Sequence, residues 1–348
     1  MKISAIRVYF IYFRWMILVT GGTGLVGAHL LVALTKDNQK VRAIHRKSSN
    51  IDDVKNVFSY YFDDITPYFS KIEWVEADIT DTPSLIKPFH GISYVYHCAA
   101  IISFHPKAYY KMRRVNIEGT ANVVNFSIAQ KVKKLCFVSS VAAVGKSIKT
   151  NPIDEDCEWT VENSNYGYAI TKHGAEMEVW RGTQEGLDAV IVNPGIIFGA
   201  GFFDSGSGSL FKTVNKGLKF YTEGVTGYVD VKDVVKAMLQ LMEGDIKNER
   251  FLLVSQNLSF KEVFSQIAKG FGKNLPSIKV SKFMSEILWR VSSVITSVTG
   301  KKPMLTKHSA QSIHKNNQFS NDKIKEAIGI DFIPVNETIT RVCKEFNS

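Results

Sequence analysis

Three side chains have the types and spacing of a site that moves a proton at a carbonyl or carbinol oxygen. Tyr168 and Lys172 are spaced Y-x-x-x-K inside a helical pattern, so they share one helix face. A tyrosine is a poor acid or base near neutrality, because its reference pKa is about 10. A cation beside it favours the tyrosinate and brings its acidity toward the working range. Ser140 lies in V-S-S-V-A-A-V-G, at the end of an apolar, strand-like run. A hydroxyl there can hydrogen-bond the oxygen that receives the proton, and its neighbour Ser139 is the alternative.

The element that must bring a second reactant to these groups is Val19 to Gly27, V-T-G-G-T-G-L-V-G. It follows the apolar run Met16 to Val19 and opens a helical pattern through Ala28, Leu30, Leu31 and Leu34, which reads as strand, glycine turn, helix. Gly21 allows the tight turn, Gly24 lets backbone approach a pyrophosphate, and Gly27 lets the helix pack close to the sheet. With Thr23, Leu25 and Val26, these residues present the free N–H groups and positive dipole end of a helix to phosphates. The spacing is G-x-x-G-x-x-G rather than G-x-G-x-x-G.

Around that turn, strand and helix patterns alternate, as in a parallel sheet with helices on both faces. Strands are expected at Met16–Val19, Val41–His45, Ile72–Ala77, Tyr94–Cys98, Leu135–Ser139, Ala189–Asn193 and Phe251–Val254. Helices are expected at Thr82–Phe89, Tyr109–Ala129, Tyr166–Thr183 and Val231–Glu243. The fold class is α/β: a doubly wound parallel sheet (Rossmann fold) with a smaller, mainly helical C-terminal substrate lobe. Residues 16–195 and 226–255 are assigned to the dinucleotide-binding domain, and 196–225 with 256–348 to the substrate-binding lobe. The glycine-rich stretch Gly199 to Gly208 is a candidate lid, since loops at the carboxyl ends of parallel strands line the ligand crevice. Residues 1–15, with an apolar run from Val8 to Phe13 too short to span a bilayer, read as an N-terminal extension dispensable for folding.

The chain has 348 residues, 45% of them hydrophobic, enough for one large α/β domain and a smaller lobe. Cys98, Cys136, Cys157 and Cys343 form no C-x-x-C pair, and no His/Cys cluster has zinc-ligand spacing, so no metal is expected and the expected location is cytoplasmic. The net charge of +10 is unevenly placed: residues 16–255 hold 26 basic and 26 acidic residues, whereas 256–348 hold 14 and 7. No basic run with interleaved aromatics suggests nucleic acid. The apolar stripe Met284, Ile287, Leu288, Val291, Ile295 and Val298 within Phe283 to Thr299 reads as packing on the protein's own core; a homodimer face or a membrane-surface contact are the other readings.

In order along the chain stand T-G-G-T-G-L-V-G, A-D-I at Ala77 to Ile79, H-C-A-A at His97 to Ala100, V-N-I-E-G-T at Val115 to Thr120, Ser139–Ser140, Y-A-I-T-K at Tyr168 to Lys172, N-P-G at Asn193 to Gly195, and Y-V-D-V-K-D-V at Tyr228 to Val234. Over about residues 16–255 this resembles the extended short-chain dehydrogenase/reductase family, within the NAD-dependent epimerase/dehydratase superfamily. The resemblance implies that Gly21, Gly24 and Gly27 bind phosphate, that Asp78 and Ile79 contact adenine, and that Ala99 and Ala100 lie under the cofactor. It implies a catalytic set of Ser140, Tyr168 and Lys172, with Lys172 also holding the nicotinamide ribose, and Pro194 and Gly195 beside the nicotinamide. Asn116 is expected to serve structure. Asn193 stands where the family often has Arg. Val141 and Ala142 stand where its sugar dehydratases place an Asp-Glu pair, which argues against elimination of water.

The second strand ends with His45, Arg46 and Lys47 and no carboxylate. An acidic residue there takes the ribose hydroxyls of NAD, whereas a guanidinium suits the 2′-phosphate of NADP. The segment V-R-A-I-H-R resembles that of dihydroflavonol-4-reductases and related aldehyde, cinnamoyl and hydroxysteroid reductases. The expected activity is hydride transfer between NADP(H), with NAD as the other cofactor, and a small-molecule carbonyl or alcohol, Tyr168 acting as general acid/base. The rival readings are an NAD-dependent nucleotide-sugar epimerase and a non-catalytic dinucleotide-sensing protein. Phe202, Phe203, Leu210, Phe211, Phe220 and Tyr221 favour a hydrophobic or aromatic carbonyl if they line the substrate lobe.

Overall fold

The computed structural model describes residues 16–145, 152–159, 167–299 and 306–347. The extension 1–15 and Tyr166 lie outside the described residues. In chain order the first half comprises β1 (Met16–Thr20), α1 (Leu25–Lys36), β2 (Lys40–His45), α2 (Asp52–Ser59), α3 (Thr66–Phe69), β3 (Ile72–Glu76), α4 (Thr82–Phe89), β4 (Ile92–His97), α5 (Tyr109–Met112), α6 (Gly119–Ala129) and β5 (Lys134–Val138). There follow α7 (Gly167–Gln184), β6 (Ala189–Pro194), β7 (Ile196–Phe198), α8 (Gly208–Asn215), β8 (Phe220–Tyr221), β9 (Val225–Asp230), α9 (Val231–Glu243) and β10 (Glu249–Leu253). The chain closes with β11 (Gln256–Ser259), α10 (Phe260–Gly270), β12 (Ile278–Lys279), α11 (Lys282–Thr299), α12 (Lys307–Ser312), α13 (Asp322–Ile328) and α14 (Val335–Phe346).

Seven strands form a parallel sheet in the order β10-β6-β5-β4-β1-β2-β3. Every residue of β5 and β6 is buried, which is why Leu135–Val138 and Ala189–Val192 read as unbroken apolar runs: helices cover both faces. On one face α1, α2 and α9 bury Leu30, Leu31, Leu34, Val57, Phe58 and Met238; on the other, α4, α6 and α7 bury Leu85, Phe89, Val123, Val124, Ala175 and Val179. Strand order reverses between β1 and β4, so their carboxyl ends open the crevice of a doubly wound sheet.

The helix expected over Tyr109–Ala129 is continuous, but Arg113–Glu118 has π geometry. The extra residue turns Asn116 inward, where it is fully buried.

A second sheet, β11-β9-β7, sits beside the main one, with β9 parallel to β7 and antiparallel to β11. The C-terminal portion is mainly helical around a core of Phe198, Phe211, Tyr228, Val263, Ile267 and Val342. Strand pairing does not stop at residue 256, however. Gln256–Ser259 pairs with β9 before Ser259 caps α10 in a reciprocal box with Glu262.

The stripe on α11 also departs from expectation. Phe283, Met284, Ile287, Leu288 and Val291 are exposed, while the buried face carries Ser285, whose hydroxyl bonds His314 and the carbonyl of Ser281. Polar pairing, rather than the apolar stripe, sets how this helix is turned. The side chains of Ile295 and Val298 lie outside the described residues.

Candidate active site

The glycine turn joins β1 to α1 at the reversal of the sheet. Gly21 has φ +70°, and a Cβ there would stand 2.6 Å from the backbone nitrogen of Ala99. A Cβ on Gly24 would meet nothing nearer than 3.5 Å. Gly24 caps α1 without a side-chain hydrogen bond, so the first N–H groups of the helix stay open toward the crevice, the arrangement that receives an anion. Thr23, Leu25 and Val26 are partly exposed along this rim, and Ala100 is exposed where β4 ends.

Buried His97 ties the floor together. Its Nδ1 lies 2.6 Å from the Thr20 hydroxyl and its Nε2 2.9 Å from the Thr120 hydroxyl. Burial, with Lys172 as a second cause, pushes its pKa down to about 3, so the ring is neutral.

Arg46 follows β2 in a turn in which its N–H donates to the Ser49 hydroxyl at 3.1 Å. Its exposed guanidinium makes no hydrogen bond or ion pair among the described residues. Asp78 follows β3, and its carboxylate accepts from the Thr80 N–H and hydroxyl, each at 2.8 Å. Ile79 is buried beside Gly119. Pro194 ends β6, and the Gly195 N–H donates to the carbonyl of Leu253 at 3.1 Å. The cofactor residues expected from the sequence thus stand at the carboxyl ends of β1, β2, β3, β4 and β6, along one edge of the sheet.

Ser140 follows β5 and Tyr168 begins α7, and their side chains share a hydrogen bond. Burial pushes the Tyr168 phenol up to about 12, opposed by that bond. The expected acidifying effect of Lys172 does not govern this tyrosine. Lys172 donates instead to the Val138 carbonyl at 2.7 Å, with its ammonium 4.5 Å from the centre of the Phe137 ring. Burial lowers the Lys172 pKa to about 8, against raising influences from Glu176 and Cys98. The two serines separate clearly: Ser139 is buried and donates to Glu176 at 2.7 Å, while Ser140 faces Tyr168.

Asn116 bridges backbone and helix. It accepts from the Ile101 N–H at 2.7 Å and donates to the Ile101 carbonyl at 3.0 Å and the Thr171 hydroxyl at 3.1 Å. It fixes the strand-end loop against α7 beside Tyr168, the structural role expected of it.

Two residues at the site have no sequence signal. The Phe104 ring lies 6.3 Å from that of Tyr168, edge to face, and His308 of α12 stacks on Phe104 at 6.3 Å. Residues 204 positions apart in sequence meet there only through the fold. The aromatic residues proposed from sequence divide differently. Phe211 is core of the C-terminal portion with Phe203 and Leu210 packed on it, Phe202 packs on the main core, and Phe220 is exposed. The stretch after β7 is anchored by the bond of His29 Nε2 with the Ala200 carbonyl at 3.1 Å, and helix α8 already begins at Gly208. Among the described residues no helix is long and apolar enough to cross a membrane.

Comparison with known proteins agrees with this architecture. Residues 17–253 match the NAD dependent epimerase/dehydratase family. A Synechocystis protein, provisionally named a dihydroflavonol 4-reductase, is 27% identical over 306 residues, covering 85% of each chain. Cinnamoyl-CoA reductase 1 of Petunia hybrida is 26% identical over 340 residues, covering 94% of this chain and 91% of that protein. The crystal structure of gox2253 superposes with a TM-score of 0.80 at 25% identity, covering 95% of this chain and 98% of that one. With the family matched from β1 through β10, the chain belongs to the NAD dependent epimerase/dehydratase family and is an NAD(P)-dependent oxidoreductase of the extended short-chain dehydrogenase/reductase type.

Proposed function

We propose that this protein is an NADP(H)-dependent reductase of a hydrophobic carbonyl compound, similar to dihydroflavonol and cinnamoyl-CoA reductases. The observation that carries the reading is the hydrogen-bonded Ser140–Tyr168 pair at the carboxyl edge of the sheet, with Lys172 one helical turn further along α7. When bound, the nicotinamide supplies or accepts the hydride. Tyr168, kept protonated by burial, donates its proton to the carbonyl oxygen as charge develops there. Ser140 hydrogen-bonds the same oxygen, and Lys172, whose ammonium gives one N–H to the Val138 carbonyl, has further N–H donors with which to hold the ribose.

The guanidinium of Arg46, exposed and without a hydrogen bond or ion pair among the described residues, at a strand end without a carboxylate, supports a 2′-phosphate and hence NADP. Phe104 and His308 beside Tyr168 support an aromatic or otherwise apolar substrate over a sugar. The names of the two curated relatives point to the same class of reaction. The test is a panel of aromatic, aliphatic and steroid carbonyls scored by loss of NADPH absorbance. Turnover of at least one supports the reading. Release of tightly held NAD from the denatured pure protein, with no turnover of any panel member, would replace it by the epimerase reading.

A further inference from the structure

We propose that Glu176 is a positioning residue for this chemistry: its buried carboxylate holds the Ser140 turn in place through Ser139 and Asn193 and supplies the counter-charge for Lys172. The inference rests on the reductase reading above. Tyr168, Lys172 and Glu176 recur at four-residue spacing on α7 and so line one face. Glu176 has no solvent exposure. One of its oxygens accepts from the Ser139 hydroxyl at 2.7 Å and from the Asn193 amide at 2.9 Å; the other accepts from Arg250 at 3.1 Å. The Asn193 amide also donates to the carbonyl of Ser140 at 3.0 Å. A chain of polar contacts therefore runs from Arg250 on β10, through Glu176, to the backbone of the residue that bonds Tyr168.

Two features set this apart from simple core pairing. Asn193 leaves its own Oδ1 buried without a hydrogen-bond partner among the described residues. An unpaired buried acceptor costs about 1–3 kcal/mol, so the asparagine is held for what its amide hydrogens do. Second, Glu176 lies one helical turn from Lys172 on α7 and acts against the burial that lowers the Lys172 pKa. His97 at the end of β4 and Cys98 just after it are neutral, with pKa values pushed to about 3 and about 12, and Tyr168 is neutral too. Phe137 and Val138 on β5 offer a ring face and a carbonyl. On its far side Glu176 meets Arg250, which also binds the Glu155 and Cys157 carbonyls, and lies near His173. A carboxylate fixed there keeps the buried ammonium of Lys172 charged through neutral pH.

The experiment measures NADPH affinity by tryptophan quenching, and kcat with a proven substrate, from pH 6.5 to 10 for wild type, Glu176→Gln, Asn193→Ala and Tyr168→Phe. Glu176→Gln should move the alkaline fall in NADPH affinity toward neutral by about one pH unit or more. A merely structural loss would lower the folded fraction without moving that limb. Asn193→Ala should lower kcat roughly ten- to a hundredfold through misplacement of Ser140, with NADPH affinity and its alkaline limb retained. An unmoved limb in folded Glu176→Gln overturns the inference, as does unchanged kcat in Asn193→Ala. If Glu176→Gln does not fold, Asn193→Ala decides alone: a lower kcat with affinity kept supports the inference, and any other result overturns it. Tyr168→Phe reports separately on the reductase reading, which fails if that variant turns over normally.

Discussion

A Cβ placed on Gly27 would stand 2.2 Å from the carbonyl oxygen of Gly21. The obstacle is backbone and cannot swing away, so α1 can approach the turn only with glycine at this position. At Gly24 the nearest atom to such a Cβ is 3.5 Å away, an ordinary contact. The two glycines therefore differ: the fold requires glycine at 27, whereas nothing in the fold itself requires it at 24.

Their alanine variants should separate accordingly. Gly27→Ala should lower the melting temperature sharply or prevent folding. Gly24→Ala should fold with near-normal stability and, if the turn takes the pyrophosphate, weaken dinucleotide binding by about tenfold or more, because the added methyl group holds the phosphates away from the turn. Thermal melts beside cofactor titrations read both, and tight NADPH binding by Gly24→Ala would remove the phosphate from this position.

Cofactor choice should follow Arg46. A charge-assisted contact is worth roughly 1.5–3 kcal/mol, so Arg46→Ala should weaken NADPH about ten- to a hundredfold and leave NADH nearly unchanged. Dissociation constants for both cofactors check this, and equal losses would show that Arg46 does not read the 2′-phosphate.

The proton roles should divide by mutation. Tyr168→Phe keeps the ring and should fold and bind NADPH while turnover falls by ~10²–10⁴. Lys172→Ala should damage turnover and cofactor affinity together, and Ser140→Ala should slow turnover with a smaller effect on binding. Steady-state kinetics with binding titrations on the three variants supply the comparison.

Buried histidines should set an acid limit to stability. Burial lowers His97 to about 3 and His29 to about 4, both from 6.5. Between those values and 6.5 the unfolded chain binds more protons than the folded one. Stability from these residues is therefore fully present above pH 6.5 and lost as pH falls toward 4 for His29 and toward 3 for His97. At pH 5 the loss is about 2 kcal/mol for each. Asp233, pushed up to about 6 by burial, acts in the opposite sense. His97→Gln should thus show a shallower fall in melting temperature from pH 7.5 to pH 5 than wild type, and a parallel fall would assign the acid limit to other groups.

Whatever is local or periodic in this protein is legible in its residues alone. The glycine spacing specifies the turn because a tight strand-to-helix connection tolerates few residue types. Apolar runs and alternating helical patterns specify the seven-stranded sheet, most plainly at β5 and β6, which are covered on both faces, and α4 and α9 run over the spans their patterns predict. The four-residue step from Tyr168 to Lys172 is enough to place both on one side of α7, because the helical repeat alone fixes that relation.

Whatever depends on partners distant along the chain is settled by the fold. In the sequence Ser140 is the first choice with Ser139 as its alternative, and the direction of β5 separates them by turning Ser139 toward Glu176 and Ser140 toward Tyr168. Lys172 has the spacing to acidify Tyr168, yet burial outweighs it, because its ammonium is drawn to the Val138 carbonyl. The stripe on α11 has the period of a core helix but faces outward, since Ser285 and His314 pair on the other side. The pairing of Phe104 with His308, like that of Glu176 with Arg250, follows no pattern that short-range reading could find. Their contacts exist only once strand order has folded distant segments together, because hydrogen bonds and ring contacts depend on distance in space and not on separation along the chain.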